Sequence, residues 1–152
     1  MTPSRLRATT VLERIAWITQ MLAGLRALPL DDFHAFQADP RNVASAESYL
    51  RRGLEALLDL GRHLLAKGFG LAVTEYKEIA VALVQVGVLD QDAGHLLREL
   101  AGYRNRLVHF YDAVSDHELY DICTMQLGDV EKVLAAMIRW IREHPEKIDR
   151  TI

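Results

Sequence analysis

Apolar residues recur at intervals of three and four along most of this chain, and no stretch shows the alternation typical of a half-buried strand. The first such run extends from about Thr10 to Leu28. It begins with Thr10 and Glu13, which have the spacing of a capping box, a pair of side chains that bind free backbone N–H groups at a helix start. The pattern therefore predicts a first helix over this range.

Capping and stop residues divide the rest of the chain into further helical segments. The second is predicted to start at Asp39 and Pro40 and to stop near Gly68 and Gly70. The remaining boundaries are Thr74 as the cap of a third helix that ends near Gly87, Asp90 as the cap of a fourth that ends near Tyr111, and a capping box of Ser115 and Glu118 for a fifth that ends before Pro145. The segment PLDDFHAFQADP, between the first and second helices, is expected to be a loop. We therefore expect an all-α fold, an antiparallel bundle of about five helices, in one domain over residues 1–152 with a core from about 10 to 143.

Composition narrows the class of protein. The chain has 152 residues, of which 50% are apolar and 26% are charged, as in a globular domain. A net charge of −3 argues against broad, sequence-blind binding of nucleic acid, although a local basic pocket remains compatible with it. A single cysteine, Cys123, cannot form a disulfide within the chain and is expected in the core of the last helix. The most apolar stretch, residues 79–89, is shorter than the ~20 residues that a bilayer requires, so we expect a cytoplasmic protein.

The fifth helix has apolar residues on nearly every side between positions 134 and 138. A helix that is apolar all round is unfavourable in water unless another surface covers it. The pattern therefore predicts burial against a second protomer in a homodimer.

The stretch GYRNRLVHFYD, residues 102–112, carries most of the candidate chemistry. On a helical wheel, Asn105 and His109 share a polar face, whereas Arg104 lies at the border of the apolar face. A guanidinium in that position needs an acidic or carbonyl partner, because an unpaired buried charge is costly. Arg106 is expected to be a solvated charge. The predicted core stripe consists of Leu96, Leu100, Tyr103, Leu107 and Phe110.

These side chains suit chemistry on RNA, which supplies its own nucleophile, the 2′-hydroxyl. His109 can move protons near neutral pH, and Arg104 can hold a phosphate as negative charge develops. Asn105 can orient the phosphate or the imidazole, and Tyr111 can donate to a phosphate oxygen or stack on a base. The same residues also have ordinary structural interpretations, with His109 as a favourable cation at a helix C-terminus and Arg104 as an ion-pair partner.

Spacing restricts how Arg104 and His109 can cooperate. Five residues correspond to a rotation of about 140° on a regular helix, so the two side chains do not lie on one face. Either Arg104 reaches around the helix, or the site combines residues from two copies of the chain in a two-fold dimer.

The segment from Arg104 to Tyr111, R-N-R-L-V-H-F-Y, resembles the R-x-x-x-x-H-x-Y signature of the HepT toxins, which belong to the HEPN superfamily of helical ribonucleases. An asparagine directly after the arginine is also typical of that family. Two longer stretches, residues 33–70 and 86–112, are similar to the second helix of these proteins and to the junction before their motif helix. The resemblance covers about residues 10–143.

The resemblance implies a homodimeric, metal-independent endoribonuclease toxin with no cofactor. Arg104 and His109 would be catalytic in a cleft between protomers, with Asn105 as a supporting residue. The expected partners are an RNA substrate and an MntA-like minimal nucleotidyltransferase antitoxin, which would transfer AMP to Tyr111. Added phosphates beside Arg104 would then occupy the place of the RNA phosphate.

Other candidates carry less weight. Glu55 and Asp59 share one face of the second helix and either orient Arg104 across the bundle or are solvated surface charges, the interpretation we favour from sequence. No HxxxH or HExxH spacing, P-loop or G-x-G-x-x-G is present, so we expect neither a metal nor a nucleotide site in this chain.

Two alternative functions remain open at this point. One is a non-catalytic HEPN module that binds nucleotide or RNA and acts as the partner of a nucleotidyltransferase. The other is a purely structural helical dimer, in which the polar edge of the fourth helix is coincidental.

Overall fold

The computed structural model describes residues 3–109 and 114–150. These residues form seven α-helices: α1 (Ala8–Arg26), α2 (Phe33–Ala38), α3 (Pro40–His63), α4 (Tyr76–Gln85), α5 (Gln91–Val108), α6 (Asp116–Met125) and α7 (Leu127–Glu143). A π-helical turn (Leu64–Gly68) extends α3, and a 3-10 turn (Pro145–Lys147) follows α7. The prediction of an all-α antiparallel bundle is confirmed.

Helix α3 is the centre of the bundle, because it contacts each of the other six helices. Five of its nine buried residues are leucine and the rest are alanine or glycine. Leu57, Leu58 and Leu60 have no exposed surface, and neither has Leu64 in the π-helical turn. Burial of a leucine side chain contributes about 1.5–3 kcal/mol relative to exposure. Helix α3 is therefore well packed in the core, and the helices that carry the polar site residues pack against it.

Three of the predicted helix caps are confirmed by hydrogen bonds. The prediction of Thr74 as a cap is wrong, because Glu75 is the N-cap of α4 and makes no side-chain capping bond. The carboxylate of Asp39 accepts from the backbone N–H of Arg41, and the carboxylate of Asp90 accepts from that of Ala93. The hydroxyl of Ser115 accepts from the backbone N–H of Glu118, as in the first half of a capping box. Gly70 follows the π-helical turn that extends α3, and Gly87 lies in the turn after α4. Both have positive φ angles, a backbone conformation that glycine adopts more readily than other residues.

The predicted capping box of Thr10 and Glu13 is wrong. Helix α1 begins two residues earlier, at Ala8, and its N-cap, Arg7, makes no side-chain capping bond. The reason is tertiary: the backbone N–H of Arg7 donates to Nε2 of His63, so α3 replaces the local cap.

A short helix, α2, lies within the segment expected to be a loop. Asp32 caps it by accepting from the backbone N–H of His34, and Phe36 is completely buried. The ring of Phe36 lies 5.5 Å from that of Tyr120 in α6. A helix of six residues is too short to show periodicity, and it is stabilised by this packing rather than by its own propensity.

The predicted fifth helix is two helices, because the chain turns at Gln126. The backbone N–H of Gln126 closes α6 on the carbonyl of Ile122, while the same residue caps α7. Its side-chain amide donates to the hydroxyl of Tyr103 on α5, at 3.1 Å. Gly128 lies two residues further on, inside the first turn of α7, and the apolar pattern continues across the corner and hides the break.

Two features of the last two helices bear on the sequence predictions. Cys123 is buried in α6, as expected, and burial raises the pKa of its thiol to about 12. Leu134 and Met137 are buried within the chain, Ile138 is half-buried and Ala135 is exposed, so the chain itself covers much of the apolar surface of α7. None of the helices that the structure describes combines the length and apolar character needed to cross a bilayer.

Helices α4 and α5 form a close hairpin through the turn at 86–90. A Cβ atom on Gly94 would lie 2.2 Å from Cγ2 of Val84, a branched side chain with little freedom to move. We expect Gly94→Ala to lower the free energy of unfolding by about 1–3 kcal/mol, the cost of overpacking, despite the better helix propensity of alanine. Chemical denaturation measures the change.

The matched control is Gly102→Ala on the same helix. A Cβ there would lie 3.7 Å from Cε of Lys77, an ordinary contact. This variant is expected to be stabilised by roughly 0.5–1 kcal/mol, because alanine is the better helix former. Equal effects of the two substitutions would contradict the close packing of α4 on α5.

The first and last described segments are paired. Two short strands, β1 (Leu6–Arg7) and β2 (Ile148–Asp149), form a parallel pair with Leu6 opposite Ile148. The side chain of Leu6 is completely buried. The sequence analysis did not predict it, because two residues are too few to show a strand pattern.

Candidate active site on α5

The buried face of α5 leads directly to Arg104. Leu97, Leu100 and Ala101 are the buried side chains of its middle turns. Arg104 follows Leu100 by four residues and Ala101 by three, so it continues the same face toward α3 and α4. The buried face of α5 is therefore rotated about the helix axis relative to the predicted core stripe. Three residues of that stripe are half-buried rather than central: Leu96, Tyr103 and Leu107.

Three contacts hold the Arg104 guanidinium. Its Nε lies 3.4 Å from Oε1 of Glu55, an ion-pair distance, although this buried nitrogen has no hydrogen-bond acceptor within the described residues. Its Nη1 donates to Oδ1 of Asn105 at 3.4 Å. Its central carbon lies 4.6 Å from the centre of the Tyr76 ring, a cation–π contact. Arg104 is thus held from one side by an acid and from another by an aromatic ring.

Glu55 and Arg104 form a partly buried ion pair. Their side chains are 26% and 25% exposed, so water screens the pair less than it screens a surface pair. Glu55 also accepts from Nη1 of Arg51 at 3.1 Å, one helical turn away on α3. The sequence-based preference for Glu55 as a solvated charge is wrong, and it is the alternative, orientation of Arg104 across the bundle, that the structure supports.

Asp59 acts on Arg104 through Tyr76. Its Oδ1 accepts from Nη1 of Arg62 at 3.0 Å and from the hydroxyl of Tyr76 at 3.4 Å. Burial is the larger cause, and the negative charge of Asp59 the smaller one, that raises the pKa of the Tyr76 phenol. The hydroxyl therefore stays protonated and can donate a hydrogen bond. Arg62 also donates to the backbone carbonyls of Val73 and Thr74. These contacts fix the start of α4, and with it the ring against which Arg104 packs.

A cleft of about 380 Å³ opens beside this arrangement. Its lining residues are Arg62, Thr74, Glu75, Tyr76, Lys77, Arg104 and Asn105. Sequence reasoning missed Arg62, Tyr76 and Lys77 as site residues, because they reach Arg104 from other helices and no local spacing marks them. The cleft is the place where Arg104 can meet an anion.

His109 lies at the end of α5 and is not among the residues that line this cleft. It is the C-cap residue, with an extended backbone and an exposed side chain, and its backbone N–H donates to the carbonyl of Arg106. The structure therefore brings Arg104 and Asn105 together, and it places His109 past the last turn of the same helix. Tyr111, the predicted modification site, lies outside the described residues, as does Phe110.

Arg106 is not the solvated charge that the wheel predicted. Its guanidinium makes a two-pronged ion pair with the carboxylate of Glu118 on α6, one arm of which measures 2.8 Å. The guanidinium lowers the pKa of Glu118. This pair joins the end of α5 to the start of α6, and it leaves Arg104 and Lys77 as better candidates than Arg106 for contact with a ligand.

Within residues 3–109 and 114–150, no three acidic, histidine or cysteine side chains lie close enough to hold a metal ion.

Comparison with known protein families identifies the family of this chain. The model of the HepT-like ribonucleases matches residues 11–137, which include most of α1, all of α2 to α6, part of α7 and the Arg104 motif. The chain belongs to the HepT-like ribonuclease family. The sequence-based assignment is therefore confirmed for the family.

The chain is also similar to one curated protein and to several solved structures. A protein of Archaeoglobus fulgidus named "Putative RNase" is 26% identical over 111 residues, which cover 73% of this chain and 78% of that protein. The HEPN toxin of Shewanella oneidensis, described as tri-AMPylated and in complex with an MNT antitoxin, has a TM-score of 0.78 at 20% identity. That comparison covers 86% of this chain and 97% of the toxin.

A further solved structure, of a protein described as being of unknown function, has a similar fold. The cytosolic protein YutE of Bacillus subtilis has a TM-score of 0.74 at 18% identity, covering 90% of this chain and 91% of YutE. At these identities the solved structures establish the shared HEPN fold of this HepT-like chain.

Proposed function

We propose that this chain is the toxin of a HepT/MntA-type (type VII) toxin–antitoxin pair and that it cleaves RNA as a metal-independent endoribonuclease. The observation that carries the proposal is the position of Arg104. Glu55 and Tyr76 hold its guanidinium at the edge of a cleft, and Asn105 lies beside it. An arginine fixed in this way is preorganised to stabilise a phosphate that gains negative charge. Membership of the HepT-like ribonuclease family supports RNA as the substrate.

The proposed reaction uses the 2′-hydroxyl of the RNA. The imidazole of His109 takes the hydroxyl proton, and the 2′-oxygen bonds to the adjacent phosphorus. The bond from phosphorus to the 5′-oxygen breaks, and that oxygen takes a proton from an imidazolium or from water. The products are a 2′,3′-cyclic phosphate and a 5′-hydroxyl. Arg104 binds the phosphate oxygens throughout, and Asn105 helps to hold Arg104 in place.

We further propose that the site is shared between two copies of the chain. Arg104 faces the cleft between α4 and α5, whereas His109 follows the end of α5 and does not line that cleft. A two-fold dimer that places the end of one α5 beside the cleft of its partner would bring the two groups to one phosphate.

Cleavage of RNA without metal tests the proposal. The purified chain is incubated with a labelled RNA pool in the presence of a chelator. The expected products end in a 2′,3′-cyclic phosphate. Saturable binding with intact RNA would instead favour the non-catalytic module, which the cleft also suits, because it presents Arg104 and Lys77 to an anion without His109.

We expect the antitoxin, a nucleotidyltransferase, to inactivate the proposed toxin by modifying Tyr111. The phenol oxygen of Tyr111 would attack the α-phosphate of ATP and release pyrophosphate, which leaves AMP on the tyrosine. The added phosphate would compete with RNA for Arg104. After co-expression with an MNT antitoxin, we expect intact-mass measurement to show AMP increments on the wild type and none on Tyr111→Phe.

The matched control is Tyr49→Phe, on α3, which should carry the same AMP increments as the wild type. AMP increments that persist on Tyr111→Phe would contradict the assignment of this residue.

A further inference from the structure

We infer that Lys77 and the cleft beside Arg104 form a second phosphate subsite, which binds the RNA backbone next to the phosphodiester that is cleaved. The inference rests on the proposed ribonuclease function and extends it to the binding of neighbouring nucleotides. Lys77 is the contact residue, and the ligand is a phosphate of a single-stranded RNA.

The position of Lys77 follows from its packing over α5. Its Cε lies 3.7 Å from the point that a Cβ of Gly102 would occupy, so the side chain crosses α5 at a residue that has no side chain of its own. Gly102, Asn105 and His109 are separated by three and four residues and therefore share one face of the helix. Seven residues of helix measure about 10 Å. A strand of RNA along this face would meet Lys77 and then Asn105, next to the phosphate that Arg104 is proposed to hold. His109, at the end of α5, would serve the cleft of the partner in the proposed dimer.

The charges in the cleft identify Lys77 as the available cation. Three cationic side chains line it, but Arg62 is paired with Asp59 and Arg104 with Glu55. Among the described residues, Lys77 has no carboxylate partner, and its side chain is exposed. It also lies in the first turn of α4, where the helix dipole disfavours a cation and favours an anion. A phosphate bound there would pair with the ammonium group of Lys77 and would interact favourably with the positive end of the α4 dipole.

One carboxylate opposes this subsite. Glu75 lines the same cleft and is exposed, and it makes no side-chain capping bond at the start of α4. Removal of its charge should therefore strengthen the binding of a phosphate without loss of a structural contact. Lys77→Ala and Glu75→Gln thus have opposite expected effects on the same ligand.

Binding of uncleavable RNA tests the subsite. Oligonucleotides with 2′-O-methyl groups lack the nucleophile and remain intact, so their affinity can be measured on the wild-type chain. We compare a dinucleotide, which has one internal phosphate, with a hexanucleotide. For the hexanucleotide we expect Lys77→Ala to weaken binding at least about three-fold and to reduce the slope of log K against log salt by about 0.7. Glu75→Gln should tighten binding, and the dinucleotide should bind all variants alike.

Lys132→Ala is the control, since Lys132 is an exposed helical lysine on α7 outside the cleft. Equal affinity of Lys77→Ala and Lys132→Ala for the hexanucleotide would overturn the subsite, as would a wild type that binds both lengths equally. Cleavage of unmodified RNA by the wild type is measured separately. Intact RNA there would defeat the proposed function, whereas cleavage with no effect of Lys77→Ala on binding would defeat the subsite alone.

Discussion

Replacement of His109 with alanine is expected to lower the rate of RNA cleavage by about 100- to 10,000-fold, the usual contribution of a general acid or base. The side chain is exposed at the end of α5, and the backbone bond from His109 to the carbonyl of Arg106 survives the change. Folding should therefore be unaffected. Single-turnover cleavage of a labelled RNA and thermal unfolding measure the two effects.

His95→Ala provides the matched control. His95 is an exposed histidine on the same helix, away from the Arg104 cleft. The His95→Ala variant should cleave RNA at the wild-type rate. Full cleavage by His109→Ala would remove His109 from the mechanism, and an equal loss in both variants would indicate a general effect on α5.

Arg104 is the second residue whose removal should nearly abolish cleavage. We expect Arg104→Ala and Arg104→Lys each to lose about 100- to 1,000-fold in kcat, the cost of one preorganised donor. Lysine retains a charge but not the planar fork that packs on Tyr76 and binds two phosphate oxygens. The fold should survive, because Glu55 keeps Arg51 as a partner. Arg98→Ala, an exposed arginine on α5, is the control and should be fully active.

A mixture of the two inactive variants distinguishes a shared site from one within a single chain. If Arg104 and His109 come from different protomers, a mixed dimer of Arg104→Ala and His109→Ala retains one intact site. Random exchange makes half of the dimers mixed, so about a quarter of wild-type activity should return. No recovery after exchange of subunits would contradict the shared site.

The sequence was most informative where the chemistry is local. Caps at Asp39, Asp90 and Ser115 were predictable, because each side chain acts on a backbone N–H two or three residues away. The need of Arg104 for an acid was also predictable from its place at the apolar border. The partner itself was one of two candidates, Glu55 and Asp59, and the structure assigns direct contact to Glu55.

The remaining features depend on contacts between distant segments. The break at Gln126 depends on Tyr103, and the start of α1 depends on His63. Tyr76 reaches Arg104 from the beginning of α4, a position that no periodicity distinguishes from an ordinary half-buried tyrosine. The rotated face of α5 has the same origin, since packing against α3 and α4 decides which residues are buried.

The pairing of Leu6 with Ile148 makes the path of the backbone nearly a closed ring. A linker of a few residues would span the gap between the two strands, and new ends could then be opened in the turn at 86–90 between α4 and α5. Such a circular permutant would retain every neighbour of α3 while α5 became the first helix of the chain. The helix that carries Arg104 and His109 could thereby be attached to a surface or a reporter through its own start, on the side opposite to the residues proposed to meet RNA.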